Sequence, residues 1–135
     1  MSITKEISFD RDGLVPVAVT DCETQRLLVL CYMNKEALEK TLNDGKIHVY
    51  RRSRGIVVLK GVESGHVQEV EEIRINCDKN SLEIRVRQHV AACAYGYYSC
   101  YFRSWNEKQQ DWVVRENKLF DPDSVYSWSL YPITR

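Results

Sequence analysis

The sequence contains little proline and glycine, no excess charge of either sign and no long apolar run. Only 3 prolines and 6 glycines occur in 135 residues, and no internal repeat, low-complexity tract or linker is present. The 19 basic and 19 acidic residues balance, so net charge favours neither a nucleic-acid nor a membrane partner. The longest apolar stretches, such as LLVLCYM at residues 27–33, are too short to span a bilayer.

The start of the chain, MSITKEISFDRDG, also lacks an apolar run of signal-peptide length, so we expect a cytoplasmic protein. Thiols stay reduced in the cytoplasm, and five cysteines cannot all pair within one chain. A thiolate metal site or a reactive thiol is therefore favoured over a disulfide framework. The length predicts one domain over residues 1–135.

The first third of the chain predicts a β-hairpin followed by a helix. Apolar, β-branched runs at 14–20 and 26–32 flank the turn-like DCETQ, and Pro16 favours an edge strand because it cannot donate to a ladder. Asn34 is suited to an N-cap, and Gly45 to the left-handed position that follows a helix. We therefore expect a helix between these two residues.

From Lys46 onward the apolar residues alternate with period two, which indicates strands. One hairpin is expected around Arg54-Gly55, a second from residues 67–76 and 81–90, and a third around residues 106–110. Asp121-Pro122 marks a further turn. The predicted fold class is α+β, mostly antiparallel sheet with one or two helices.

Three cysteines, Cys77, Cys93 and Cys100, are the strongest candidates for chemistry. Three thiolate ligands leave one corner of a tetrahedral zinc ion open for water. Cys77 also shares the alternation phase of Ile73 and Ile75, so a core-facing thiol is the competing interpretation. A redox dithiol of Cys93 and Cys100 is weaker, because their spacing lacks the CxxC geometry.

Oxygen-bearing side chains surround the first of these cysteines. Asn76, Asp78 and Asn80 occupy alternate positions, and an extended chain would present them together to a hard cation such as Mg²⁺. One carboxylate and two amides would hold that cation weakly. Asn and Asp are also common turn formers, and the spacing alone favours a turn.

A basic turn is the candidate anion-binding element. Arg52, Ser53 and Arg54, with Lys60 close behind, could clamp a phosphate through bidentate guanidinium contacts. A solvated surface is the alternative, and an RNA-binding role ranks low without a wider basic face. Just beyond this turn, Ser64, His66 and Gln68 offer a hydroxyl, an imidazole that could act as general base, and an amide.

Taken together these segments resemble the phosphoribosyl-AMP cyclohydrolase family of histidine biosynthesis. The resemblance runs through DGLVPVAVTD, CYMNKEAL, the RSR turn, KGVESGHVQ, NCDKNSL, ACAYGYYSCYFR and LFDPDSVY. Its most specific part is the cysteine spacing, with 16 positions from Cys77 to Cys93 and seven from Cys93 to Cys100. Gly96 and Ser99 match the motif as well.

The resemblance implies a zinc-dependent hydrolase that opens the purine ring of a phosphorylated nucleotide by breaking its N1–C6 bond. It implies an intertwined homodimer, with Zn²⁺ held by Cys77 of one chain and by Cys93 and Cys100 of the other. It implies phosphate contacts from the residues retained in the substrate motifs, namely Arg52, Ser53, Arg54, Lys60 and Gln68. It also implies an Mg²⁺ site from a D-C-D-x-D motif, which here reads Asn76-Cys77-Asp78-Lys79-Asn80.

The chain departs from the family pattern at several positions. Ala94 and Tyr95 stand where histidine and threonine are usual, and other departures replace serine, tryptophan and threonine by Arg51, Val58 and Glu63. Ala94 cannot shuttle a proton, which makes His66 the candidate base. Three interpretations follow: an authentic cyclohydrolase, a diverged zinc hydrolase of another heterocyclic nucleotide, or a non-catalytic nucleotide-binding dimer stapled by zinc.

Overall fold

The computed structural model describes residues 3–125. Within that range the chain forms one α-helix, eight strands and two short 3₁₀ turns, Ile3–Glu6 and Pro122–Ser124. The elements follow the order β1 (Val15–Asp21), β2 (Leu27–Met33), α1 (Lys35–Asp44), β3 (His48–Arg51), β4 (Ile56–Leu59), β5 (Gln68–Ile75), β6 (Leu82–Gln88), β7 (Arg103–Asn106) and β8 (Asp111–Val114). None of the helical segments between residues 3 and 125 has the length and apolarity needed to cross a membrane.

The main sheet has the strand order β2-β1-β6-β5. Two antiparallel hairpins, β1/β2 and β5/β6, are joined by a parallel pairing of β1 with β6 that places Val19 opposite Ile84. The prediction of an edge strand for Pro16 is therefore wrong, because β1 lies inside the sheet. Proline is tolerated there since Pro16 pairs only with Tyr32, and the ladder with β6 begins one residue later, at Val17.

Alternating residues of the two central strands form the core. Val15, Val17 and Val19 of β1 are fully buried, and so are Ile84 and Val86 of β6. Burial at every second position is the consequence of the strand period, and the buried apolar residues of α1 belong to the same core cluster. The prediction of an α+β fold with mostly antiparallel strands is confirmed.

The predicted helix caps are present at both ends of α1. The Asn34 side chain accepts a hydrogen bond from the Ala37 amide at 2.8 Å. Gly45 adopts the left-handed conformation, with φ of 74°, and its N–H donates to the Thr41 carbonyl. The buried Thr41 hydroxyl also accepts from the His48 amide at 2.9 Å, which fixes α1 against the start of β3.

The remaining hairpins lie outside the main sheet. β3 pairs with β4 and β7 pairs with β8 as separate two-stranded units, as the turns around residues 54–55 and 106–110 predicted. β5 ends at Ile75, so Cys77 lies in the turn before β6 and is exposed. The core-facing interpretation of Cys77 is therefore wrong, because the strand alternation stops before this residue is reached.

Candidate active site

A cavity of about 500 Å³ opens where three chain segments meet. Its walls come from the β3–β4 hairpin, the loop that follows β4, and an irregular loop at residues 91–100. Six of the candidate catalytic, substrate-binding and metal-binding residues line it: Arg54, Lys60, Ser64, His66, Cys93 and Cys100. The fold thus brings candidate anion binders, the candidate base and two thiols to one surface.

Cys93 and Cys100 lie close together at this surface, and each alters the pKa of the other. The hydrogen bond from the Cys100 thiol lowers the pKa of Cys93 to about 6, against the opposing effect of burial. The same hydrogen bond and burial raise the pKa of Cys100, because Cys100 is the donor and keeps its proton. Cys93 is only 6% exposed, so a nucleophilic sulfur is held in a largely desolvated position.

The loop that carries the cysteine pair is held by its own backbone and by buried polar side chains. Cys93 and Tyr97 pair across a tight turn through the Cys93 N–H and Tyr97 carbonyl, at 3.2 Å. The fully buried Ser99 hydroxyl donates to the Leu27 carbonyl at 2.8 Å, and Tyr98 donates its phenol proton to the Asp21 carboxylate at 2.5 Å. These contacts fix the loop against β1 and β2.

Lys60 lies beneath the cysteine pair. Its Nζ donates to the Ala92 carbonyl at 2.8 Å, one residue before Cys93. Burial lowers the pKa of Lys60, while the sulfurs of Cys100, Cys31 and Cys93 raise it. The ammonium group thus braces the loop and supplies positive charge close to three sulfur atoms.

Cys31 joins this group from β2, which the sequence did not indicate. Burial raises the pKa of the Cys31 thiol to about 11, and Lys60 acts in the opposite direction. Its Sγ lies 3.7 Å from the Val17 carbonyl oxygen and its side chain packs on the core. The thiol is therefore protonated at neutral pH, and Cys31 serves as packing below the site.

His66 lines the cavity from the loop after β4. Its imidazole packs edge-on against Phe120, with ring centroids 4.7 Å apart, and its backbone N–H donates to the Ser64 hydroxyl at 3.1 Å. Burial lowers the pKa of His66, so the neutral imidazole prevails at neutral pH. Nδ1 is buried without a hydrogen-bond partner in the described part of the chain.

Gly61 sets the position of the His66 backbone. Its φ of +84° lies in the left-handed region, and a Cβ at this position would lie 2.4 Å from the His66 carbonyl oxygen. Only glycine therefore allows the two limbs of this loop to approach so closely.

Three of the predicted substrate-binding residues lie outside the cavity lining. The Arg52 guanidinium stacks over the Tyr32 ring, 4.2 Å from its centroid, and Ser53 is exposed in the β3–β4 turn. Gln68 is fully buried in β5, and its amide donates to the Gln88 side chain at 2.7 Å. The phosphate roles of these residues remain predictions.

The turn of residues 76–81 does not extend toward the cavity walls. Asn76, Cys77, Asp78 and Asn80 are all exposed, and the turn predicted from their composition is present. No group of three or more histidine, cysteine or acidic side chains among residues 3–125 is placed to hold a metal ion. Within one chain, then, the cysteine pair offers two soft sulfur ligands, a donor set that suits zinc, and Cys77 is not beside them.

Residues that differ from the family pattern lie on the cavity wall. All five departures noted in the sequence line it: Arg51, Val58, Glu63, Ala94 and Tyr95. The sequence alone could not show this, because these positions are spread over three segments. Arg51 adds a second guanidinium beside Arg54, and Glu63 adds a carboxylate.

Comparison with known proteins agrees with the resemblance seen in the motifs. The family model for phosphoribosyl-AMP cyclohydrolase matches residues 29–102. The phosphoribosyl-AMP cyclohydrolases of Methanospirillum hungatei and Chloroherpeton thalassium are 45% and 41% identical over 91% of this chain, covering 90% and 88% of their own lengths. A histidine biosynthesis bifunctional protein of Thermoanaerobacter pseudethanolicus is 42% identical over 93% of this chain and 57% of its own length. This chain belongs to the phosphoribosyl-AMP cyclohydrolase family.

Proposed function

We propose that this protein is a zinc-dependent hydrolase that opens the purine ring of phosphoribosyl-AMP. Water is added across the N1–C6 bond of the purine, that bond breaks, and an imidazole carboxamide is left. The observation that supports this most is the cavity in which a cysteine pair, a neutral histidine and two arginines meet, in a chain of this family. The relatives named above carry the same activity in their names.

Cys93 and Cys100 are the residues of this chain that would hold zinc, and Cys77 of a second copy would complete the set. Zn²⁺ supplies, when bound, a water molecule that is acidic enough to ionise near neutral pH. The pair fits this role because its thiolate is already favoured by the hydrogen bond between the two sulfurs. The exposure of Cys77 supports a homodimer, since an exposed thiol is accessible to a partner.

The other cavity residues bind and orient the substrate. Arg51 and Arg54 present guanidinium groups suited to the phosphate oxygens. His66 accepts a proton at its uncharged ring, because burial keeps the pKa of this imidazole below its usual range. Ser64 holds the His66 backbone in place. A cytoplasmic location, where thiols stay reduced, keeps the cysteine pair available.

A diverged activity is the second candidate, and one observation favours it. The five positions that differ from the family pattern all face the cavity, which is the surface that a substrate would contact. A carboxylate at Glu63 disfavours a phosphate nearby, and Tyr95 places on the cavity wall a side chain larger than the threonine that is usual there. This candidate keeps the hydrolytic chemistry and changes the heterocyclic nucleotide.

The test is an ultraviolet assay of ring opening with phosphoribosyl-AMP beside a panel of purine nucleotides, using zinc-loaded protein. Ring opening of phosphoribosyl-AMP supports the first candidate, and activity restricted to another nucleotide supports the second. A blank result across the panel from zinc-loaded dimer would overturn both and favour a nucleotide-binding role.

Variants assign the roles within that assay. His66→Ala should lower turnover by about 10²- to 10⁴-fold with unchanged zinc content, and His89→Ala, at an exposed position, is the matched control. Cys93→Ser and Cys77→Ser should each lose zinc, measured by metal analysis. Full zinc in either cysteine variant would refute the ligand assignment.

A further inference from the structure

The turn between β5 and β6 is organised by one side chain. The Asn76 carbonyl oxygen Oδ1 accepts hydrogen bonds from the backbone amides of Asn80 and Ser81, at 3.0 and 2.9 Å. The Asn76 backbone accepts from the Lys79 amide at 3.0 Å and donates to the Ser81 carbonyl at 3.2 Å. Cys77 follows directly, so this network fixes the backbone that presents its thiol.

A hydrogen bond between two side chains also closes the turn. Asn76 Nδ2 donates to Asn80 Oδ1 at 2.7 Å. Each of these two side chains occupies a position where the family motif has a carboxylate. Two ionised carboxylates would repel each other at this distance unless a cation or a shared proton bridged them, because both are acceptors and carry the same charge. An amide facing an amide has both a donor and an acceptor, so it needs no cation.

The residues present do not fit Mg²⁺. This ion demands near-octahedral oxygen coordination at short distances and favours carboxylates. Asn76 Oδ1 is already engaged by two backbone amides and Asn80 Oδ1 by the Asn76 amide. Asp78 is left as one exposed carboxylate, which would hold the ion weakly.

We infer that the Asn76–Asn80 amide pair takes the place of a divalent cation in ordering the turn that carries Cys77. The chain thereby keeps a defined position for this thiol without dependence on Mg²⁺. The inference stands apart from the proposed activity, since it concerns the stability and cation binding of the turn and is measured without substrate.

The experiment uses zinc-loaded, desalted protein with and without millimolar Mg²⁺, and compares thermal unfolding of four forms. Asn76→Asp and Asn80→Asp are matched controls, because each leaves one amide that can donate to the introduced carboxylate. Asn76→Asp/Asn80→Asp removes the last donor and places three carboxylates in one turn. The wild type and both single variants should unfold at temperatures that Mg²⁺ does not change. The double variant should unfold several degrees lower without Mg²⁺ and recover when it is added.

Binding of Mn²⁺, followed by electron paramagnetic resonance as a probe for the Mg²⁺ site, gives an independent readout. The double variant should bind one more ion per chain than the wild type. The inference is overturned if the wild type binds Mn²⁺ and Asp78→Asn abolishes that binding. It is also overturned if Mg²⁺ raises the unfolding temperature of the wild type. Unchanged stability of the double variant without Mg²⁺ would likewise refute the role of the amide pair.

Discussion

Replacing Gly61 by alanine should damage the site through the backbone. The added Cβ would lie 2.4 Å from the His66 carbonyl oxygen, 2.6 Å from its carbonyl carbon and 2.9 Å from the Val67 nitrogen. All three atoms belong to the main chain, so no side-chain rotation can relieve the contact. The opposing limb of the loop must retreat by about 1 Å to restore normal van der Waals separation.

The loss of unfolding free energy in Gly61→Ala has two parts, and a control variant in the same loop separates them. Gly65 has a similar φ of +77°, but a Cβ there meets nothing within 4 Å. Gly65→Ala should therefore cost only the left-handed backbone penalty, about 1 kcal/mol of unfolding free energy. Gly61→Ala adds the steric conflict and should cost about 3 kcal/mol in total.

Urea unfolding followed by circular dichroism measures both free energies. The thermal unfolding temperature should fall by about 4 °C for Gly65→Ala and about 10 °C for Gly61→Ala. Turnover under folding conditions should fall by up to about 10²-fold in Gly61→Ala alone, because His66 is displaced. Equal losses of stability in the two variants would refute the argument, since they would show that backbone strain rather than close approach makes glycine necessary.

Three further results are expected. In zinc-free protein, Cys100→Ala removes the hydrogen-bond donor to Cys93, so the pH midpoint of iodoacetamide alkylation of Cys93 should rise from about 6. In the wild type the Cys93 thiolate is present above that pH and is protonated as the pH falls through it. Lys60→Met should lower the free energy of urea unfolding by about 1–3 kcal/mol, because the Ala92 carbonyl loses its hydrogen-bond donor. An unfolding free energy equal to that of the wild type would show that Lys60 does not stabilise the loop. Tyr98→Phe removes the phenol that donates to Asp21 and should lower the unfolding free energy by a similar amount. Unchanged stability would contradict this expectation.

Local signals in the sequence were sufficient for the elements. The N-cap of Asn34 and the left-handed Gly45 depend only on neighbouring residues, and both are where the sequence predicted them. The turns after Arg51 and around residues 77–80 were also predictable, since Gly, Asn and Asp favour turns wherever they occur.

Long-range packing decided the features that the sequence did not reveal. Pro16 was assigned to an edge because nothing local signals that β6 joins the other side of β1 one residue later. Gln68 is a candidate substrate contact because it is polar and retained in the family's substrate motifs, yet it is fully buried, and its Nε2 donates to the Gln88 side chain. The five departures from the family pattern converge on one cavity only after three segments have folded together.

The parallel contact inside the sheet has a consequence for how the chain reaches its native state. Val17 pairs with Leu82, so the first hairpin stays without its inner neighbour until the chain has been made well past its midpoint. Closing so large a loop costs conformational entropy before the hydrogen bonds between β1 and β6 form. Folding is therefore slower than for a sheet built only of sequential hairpins. During synthesis on the ribosome, the unpaired edge of β1 is therefore open to unwanted strand partners until β6 has been made.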